Sequence, residues 1–440
     1  MSVSSTPTAI PKLRWIRILP PCMLSYVMAF LDRLNIGYAI AGGMNQALGM
    51  TAAVAGLAAG VFSFGYLLLQ VPCGHYAAKH SAKTVVAFIL VAWGAVAIGM
   101  GFSQNPTQLV IARFLLGVAE GGLWPAVFVL ISDWFPSAEL ARANALFALG
   151  NAIASVINGP LSGWLVANYG WRWLFYIEGA FPFVAMVIWV ALITDHPAEA
   201  KWLSSAERDY LVTTIAAEQQ ALKKSAPKAA SYGELLKQRN LWILIATYFC
   251  FQIAVTAYGT WLPTILRQLT RTGIARVGQL AVAPYILQVL GVYTFAFWSD
   301  RSGNRRLFTA LPALGFAACL FLSVQTKQMI WVSYGFLTVT GFFLTGHQGV
   351  FWSMPPAIFP REIGGGARGI INGMGNLGGF FGPAMVGWFM TIFRSSDRGI
   401  YGMAISLVLA CVFIYSLPKN LSKIARKQAA RPPGMSVTAR

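Results

Sequence analysis

Runs of about 20 apolar residues recur from Ile18 to Leu417 with only short polar breaks between them. A bilayer core about 30 Å thick takes roughly 20 apolar residues per helical crossing, so each run is long enough to span it. No water reaches the hydrocarbon to bond backbone amides, and a helix satisfies its own, so such runs form helices. Twelve spans are read: residues 18–40, 53–73, 84–102, 107–131, 144–168 and 174–194, then 241–264, 277–298, 307–325, 329–353, 368–392 and 399–417. The expected fold class is an all-α integral membrane bundle. Only 11% of residues are charged, against roughly 25% in soluble domains, which leaves no room for a large soluble domain.

A formal charge of +19 raises the question of nucleic acid, and the positions of the 33 Lys and Arg residues answer it. They fall mostly in alternate loops. With the N-terminus taken as cytoplasmic, about 24 lie inside, including Lys12, Arg14, Arg17, Lys79, Lys83, Arg142, Arg361 and Arg368, and about 7 outside, the bias that orients membrane proteins. Both termini are therefore expected in the cytoplasm, at the cell inner membrane. Nucleic-acid binding would gather the charge on one water-exposed face. The five cysteines are scattered singly without ligand spacing and read as small core residues. No small-residue cleavage site follows the first apolar run, so it is read as a retained span.

The one long polar stretch, residues 195–240, separates six spans from six and reads as a cytoplasmic linker carrying a surface helix. The expected division is residues 1–194, the linker 195–240, residues 241–417 and a basic tail 418–440. An internal repeat supports it. After the fourth span come Trp134-Phe135-Pro136, Glu139, Arg142, Gly159-Pro160 and Gly163-Trp164; after the tenth come Ile358-Phe359-Pro360, Glu362, Arg368, Gly382-Pro383 and Gly387-Trp388. Unrelated hydrophobic helices would not hold these polar, Gly and Pro positions in phase. Parallel six-helix halves of this kind place a substrate path between them near the midplane, opened alternately to each side.

The loop Asp300-Arg301-Ser302-Gly303-Asn304-Arg305-Arg306 resembles the Asp-Arg-x-Gly-x-Arg-Arg signature of the major facilitator superfamily, which implies two pseudo-symmetric six-helix halves. Asp300, Arg301, Arg305 and Arg306 are accordingly read as a conformational latch, working through ion pairs and helix-dipole contacts. In the first-half copy Gly74, Lys79 and Lys83 are in phase, but Ala78 stands where the acid belongs. Leu31-Asp32-Arg33-Leu34-Asn35-Ile36-Gly37 after Tyr26, the run Arg113 to Gly122 with Pro125, and Trp171-Arg172-Trp173-Leu174-Phe175 are similar to the anion:cation symporter family within that superfamily. That resemblance implies proton-driven uptake of an organic anion, such as a sugar acid, a tartrate-like diacid or an aromatic acid.

The residues argue toward the same chemistry. Asp32, Arg33, Arg113 and Glu120 stand inside first-half spans, where each charge costs about 2.5 to 3.5 kcal/mol unless it faces protein, water or a partner. Arg113 and Glu120 share one helical face. At 1.5 Å per residue, Asp32 and Arg33 lie about 13 Å from the outer boundary, Arg113 about 9 Å and Glu120 about 20 Å. Arg113 is thus expected to approach Asp32, with Glu120 near the midplane. Asp32 and Arg33 point about 100° apart and address different neighbours.

Arg33 is expected to bind the substrate carboxylate, since a guanidinium keeps its charge and offers paired donors. Burial favours a neutral acid and a nearby cation an ionised one, so Glu120 and Asp32 can exchange protons as arginine contacts change. In the family the matching positions have these roles. The opposing interpretation is a set of fixed ion pairs that locks the bundle. Glu178 is read as structural and partnered by Arg172, and Asp133 and Glu139 as holding a conformation.

The second half carries no mid-span charge, only His347, read as a packed side chain, and polar groups. Trp352, Ser353, Asn372 and Asn376 are assigned to substrate contact, with Gln252 and Gln288 nearby, joined by Asn151 and the family-matched Tyr66 of the first half. No HExxH, GxSxG or phosphate-cradle motif points to an enzyme. The expected partners are a small organic anion, protons and lipid, with no cofactor beyond the proton gradient and no metal; one chain carrying both halves can act as a monomer. An organophosphate or anion exchanger of the same fold, and a membrane receptor or structural protein, are the alternatives.

Overall fold

The structure, a computed structural model, describes residues 13–224, 232–359 and 361–418. Lys12, Pro360 and the tail from residue 419 lie outside them, and so do residues 225–231 of the linker. The described chain is helical throughout, in twelve spans. These are α1 (Leu13–Ala39), α2 (Ala52–Lys79), α3 (Ala82–Gly101), α4 (Pro106–Trp134), α5 (Ser137–Tyr169) and α6 (Trp171–Leu192), then α7 (Arg239–Thr270), α8 (Ile274–Ser302), α9 (Arg305–Gln325), α10 (residues 330–352), α11 (residues 361–393) and α12 (Asp397–Tyr415).

Among the described residues nine helices are long and apolar enough by themselves to cross a bilayer. The remaining three are α1, α10 and α11, and each has a local reason. Arg14, Arg17, Asp32 and Arg33 lower the hydropathy of α1. α10 is interrupted between Leu344 and His347, and α11 between Asn376 and Gly378. α4 is likewise broken after Glu120, at Gly121-Gly122. A broken helix exposes backbone groups that a membrane tolerates only where protein or water meets them.

Caps set several helix starts. Asn105 accepts from the Gln108 amide at 3.0 Å ahead of Pro106, whose missing N–H costs nothing at the first helical position. Ser81 accepts from Thr84 N at 3.0 Å, and Asn304 from Leu307 N at 3.2 Å. Below α1 the chain turns through Gly43, whose φ of 109° is a left-handed conformation open to glycine.

Two compact units divide the chain. The first holds Met1–Met50, Val61–Ala226 and Gly273–Gly278; the second holds Thr51–Gly60, Pro227–Thr272 and Gln279–Arg440. In the first, α2 and α4 approach backbone to backbone: the hydrogen of Gly117 faces the Phe62 carbonyl, and Gly65 faces that of Phe114. That approach sets Phe62 and Tyr66 beside the charged face of α4. The linker helix Ser205–Lys224 belongs to this unit and is pinned to it by Arg14, which reaches Glu207 at 2.6 Å and Glu139 at 2.7 Å. Trp202 stacks on Trp134 with centroids 5.3 Å apart, and Arg17 lies 4.9 Å over the Trp202 ring. Glu139 thus joins a buried ion-pair cluster.

In the second unit α7 and α11 pack closely where Gly378 meets the Phe249 carbonyl and Gly382 that of Ile253. The first turns of α2 belong here too, with Ala53 N donating to Thr391 Oγ1 at 2.8 Å.

Candidate functional site: a buried charge cluster

Asp32 and Arg33 leave α1 in different directions, as adjacent helical residues must. Arg33 turns toward α4 and α2. Its Nε donates to Glu120 Oε1 at 2.6 Å, and a second guanidinium nitrogen pairs with the same oxygen. The rings of Tyr66, Phe30 and Phe62 lie 4.4, 5.0 and 5.3 Å from the guanidinium carbon. Glu120 is wholly buried, whereas 23% of the Arg33 side chain remains accessible. Arg33 is therefore the member of the pair with accessible surface, and among the described residues Glu120 Oε2 is buried without a hydrogen-bond partner.

Asp32 turns toward α3. Trp93 Nε1 donates to its Oδ2 at 2.5 Å and Asn35 Nδ2 to its Oδ1 at 2.9 Å. Arg113, on α4, reaches the Asp32 main-chain carbonyl at 3.4 Å and lies 5.2 Å over the Phe62 ring. The expected approach of Arg113 to Asp32 occurs, but at the backbone and not at the carboxylate. Arg113 Nε is buried and has no hydrogen-bond partner among the described residues.

Glu178 corrects the sequence reading. Arg172 does not pair with it; Arg172 donates to the Ser103 carbonyl at 3.0 Å and stacks on Trp171. Glu178 lies 3% exposed inside the first unit, taking a hydrogen bond from Asn35 at 2.9 Å and meeting Ser162 Oγ at 2.7 Å. Asn35 and Trp93 are the partners that the reading of charges passes over. Asn35 stands three residues after Asp32, a spacing that places it on the same face, so its role was accessible; Trp93 carries no charge and gives no signal. Asn151 bonds locally, with Ser155 Oγ at 3.3 Å from its Oδ1, and no described contact joins it to Arg33.

The second unit holds the remaining candidates. Gln252 Nε2 donates to Asn376 Oδ1 at 2.7 Å, and Asn376 Nδ2 to Asn372 Oδ1 at 3.0 Å, a polar ladder from α7 along α11. Tyr248 stacks on Phe351 and meets Trp352 edge-on at 5.1 Å. The Ser353 hydroxyl is spent on the Val350 carbonyl at 2.6 Å. His347 is buried and stacked on Phe251 at 3.7 Å, a packed side chain. Gln288 donates to Thr345 at 2.9 Å.

The latch residues sit at helix ends. Arg305 donates to the Ser353 carbonyl at 2.6 Å, and Arg306 to the carbonyl of Tyr415, the last residue of α12. These cations meet carbonyls at the negative ends of helices. Asp300 and Arg301 are exposed, and among the described residues neither forms an ion pair. At the matching place in the first half, where Ala78 stands, Asp195, three residues past the end of α6, takes hydrogen bonds from Ser81 at 2.6 Å and from Lys83 N at 2.8 Å.

Known proteins resemble this chain over nearly its whole length. A protein of Agrobacterium vitis named as a tartrate transporter is 35% identical over 420 residues, covering 94% of this chain and 92% of that protein. A protein of Escherichia coli strain K12 named as a galactarate/D-glucarate transporter is 24% identical over 98% of this chain and 99% of its own length. The inward-open xylose transporter of E. coli has the same fold, with a TM-score of 0.74 over 94% of this chain and 99% of that one at 15% identity. The sequence profile of the Major Facilitator Superfamily matches residues 22–383 and 269–438. With twelve spans, an internal repeat and charges buried inside the helices, the chain belongs to the Major Facilitator Superfamily, a family of membrane transporters.

Proposed function

We propose that this protein imports a small organic anion across the cell inner membrane together with protons, by alternating access. The observation that carries the reading is the Arg33–Glu120 pair. An accessible arginine, ringed by Phe30, Phe62 and Tyr66, is neutralised by an inaccessible acid. A solute carboxylate competes for the guanidinium. It wins when Glu120 takes a proton, because a protonated acid no longer balances Arg33 and the anion restores neutrality. Anion and proton then occupy the site together, which is the rule for symport. Asp32 and Arg113 complete the charge balance, and Tyr66 offers a hydroxyl to the bound solute.

Relatives named for tartrate and for galactarate or D-glucarate support a hydroxylated carboxylate, and the Gln252–Asn376–Asn372 ladder supplies amides suited to hydroxyl groups. Asn151, Trp352 and Ser353 keep their place among the proposed substrate contacts, Ser353 through other than its hydroxyl hydrogen. Arg305 and Arg306, with Asp300 and Arg301, are proposed to hold one conformation at the cytoplasmic face, both termini lying on that side.

Reconstitution into proteoliposomes tests this. Tartrate uptake driven by an inward proton gradient and abolished by a protonophore is expected; uptake that ignores the gradient and requires only substrate inside identifies an exchanger instead.

A further inference from the structure

Glu178 is a third buried acid, and unlike Glu120 it has no cation on its carboxylate among the described residues. α1, α3 and α5 pack against α6, and the groups they present are few. α1 brings Asp32, bridged through Asn35, Tyr38 near Gly159, and Arg33, which is engaged with Glu120, while Arg14 and Arg17 lie at its far end, on Glu139 and Glu207 and on the Leu192 carbonyl. The one charged residue of α3, Lys83, and those of α5, Glu139 and Arg142, lie at the far ends of their helices. On α6 itself Arg172 is engaged with Ser103. Arg113 of α4 reaches the Asp32 backbone and the Phe62 ring.

Hydrogen-bond accounting then separates the two acids that Asn35 bridges. Asp32 receives two N–H donors, one per oxygen, which suits an ionised carboxylate. Glu178 Oε2 receives the other Asn35 N–H at 2.9 Å. Its Oε1 faces Ser162 Oγ at 2.7 Å, and the same Oγ lies 3.0 Å from Asn158 Oδ1. A serine hydroxyl has one hydrogen, yet here it stands between two acceptors. With the Asn158 amide oxygen facing Ser162, a proton on Glu178 Oε1 supplies the missing donor, giving an unbroken relay from Glu178 O–H to Ser162 and from Ser162 O–H to Asn158. All these residues are buried.

Charge counting agrees. Asp32, Glu120 and Glu178 stand against Arg33 and Arg113, so the fully ionised cluster has one excess negative charge with no counterion, a costly arrangement in a buried site. One proton removes it.

We propose that Glu178 is a proton-carrying carboxyl of the transport cycle, linked to Asp32 through Asn35. The inference rests on the symport reading above. The proton comes from water and returns to water, binding Oε1 as O–H and leaving a carboxylate, with no redox change. When it leaves, both acids bridged by Asn35 are anionic within two hydrogen-bond lengths of each other, which drives a proton onto the cluster from the other side.

Glu178→Gln tests it, because a glutamine amide donates to Ser162 and its carbonyl accepts from Asn35 as the protonated acid does. The reversal potential of tartrate flux in proteoliposomes gives the number of protons per substrate. The expected result is a folded E178Q protein that exchanges substrate yet couples one proton fewer than wild type, while Glu178→Asp, which keeps a carboxyl, couples the wild-type number. An equal number in E178Q and wild type overturns the proposal alone. A wild-type protein that moves tartrate without protons overturns the symport reading and this one with it. Should E178Q fail to fold, the infrared band of the protonated carboxyl in wild type is expected to shift in E178D; an unshifted band overturns the proposal.

Discussion

Arg33 closes on one oxygen of Glu120, and the other oxygen of that carboxylate is buried with no partner among the described residues. A pair held through a single shared acceptor oxygen leaves the guanidinium with donors to spare, and in the proposed mechanism a solute carboxylate adds to Arg33 before Glu120 lets go. Phe30, Phe62 and Tyr66 hold the guanidinium plane while this happens.

Replacing Arg33 by lysine keeps the charge but removes the planar fork and the stacking on Tyr66. A hydrogen bond to a charged group contributes about 1.5 to 3 kcal/mol, and about 1.4 kcal/mol is a tenfold change in affinity. Arg33→Lys is expected to raise the KM for substrate about tenfold or more, read by initial uptake rates; an unchanged KM would place the substrate elsewhere.

Trp93 donates the hydrogen bond to Asp32 Oδ2. Trp93→Phe removes the donor and keeps an aromatic ring in the core, leaving one oxygen of a buried acid unsatisfied at a cost of roughly 1 to 3 kcal/mol. The expected outcome is a less stable protein whose uptake maximum moves to a different pH from that of wild type. A coincident pH profile would confine Trp93 to packing.

The backbone contact of α2 with α4 is tested at Gly117. A methyl group there meets the Phe62 carbonyl, and overpacking of this kind costs about 1 to 3 kcal/mol. Gly117→Ala is expected to lower the unfolding temperature in detergent, whereas Gly99→Ala, where a methyl meets open space, does not.

The linker helix offers a fourth test. Arg14 is 2% exposed and joins α1, α5 and the linker through Glu139 and Glu207. Removing one partner of a buried ion pair costs about 3 to 5 kcal/mol. Arg14→Met is expected to free the linker helix, seen as faster trypsin cleavage at Lys201 or Arg208 than in wild type.

Much of this was open to a reader of the residues, for one physical reason: a charge in a membrane span is costly, so Asp32, Arg33, Arg113 and Glu120 mark themselves. Their depths along antiparallel helices also bring Arg113 to the level of Asp32. What depth does not settle is which atom meets which. Arg113 takes the Asp32 carbonyl because Trp93 and Asn35 already occupy the carboxylate. Arg172 lies six residues before Glu178, close in sequence, but it faces the end of α3 and not its own helix's interior. In the second half, polar residues without charge carry no such mark, and the Gln252–Asn376–Asn372 ladder is visible only once α7 and α11 are packed.

The central claim, that a proton on Glu120 licenses the anion to bind Arg33, is tested most directly by Glu120→Gln in proteoliposomes that report both substrate exchange and accumulation. The amide cannot be charged, so Arg33 stays available to the anion while the proton step is lost. Retained tartrate exchange with no accumulation under an inward proton gradient is the predicted result. An E120Q protein that still concentrates tartrate against its gradient as wild type does would contradict it.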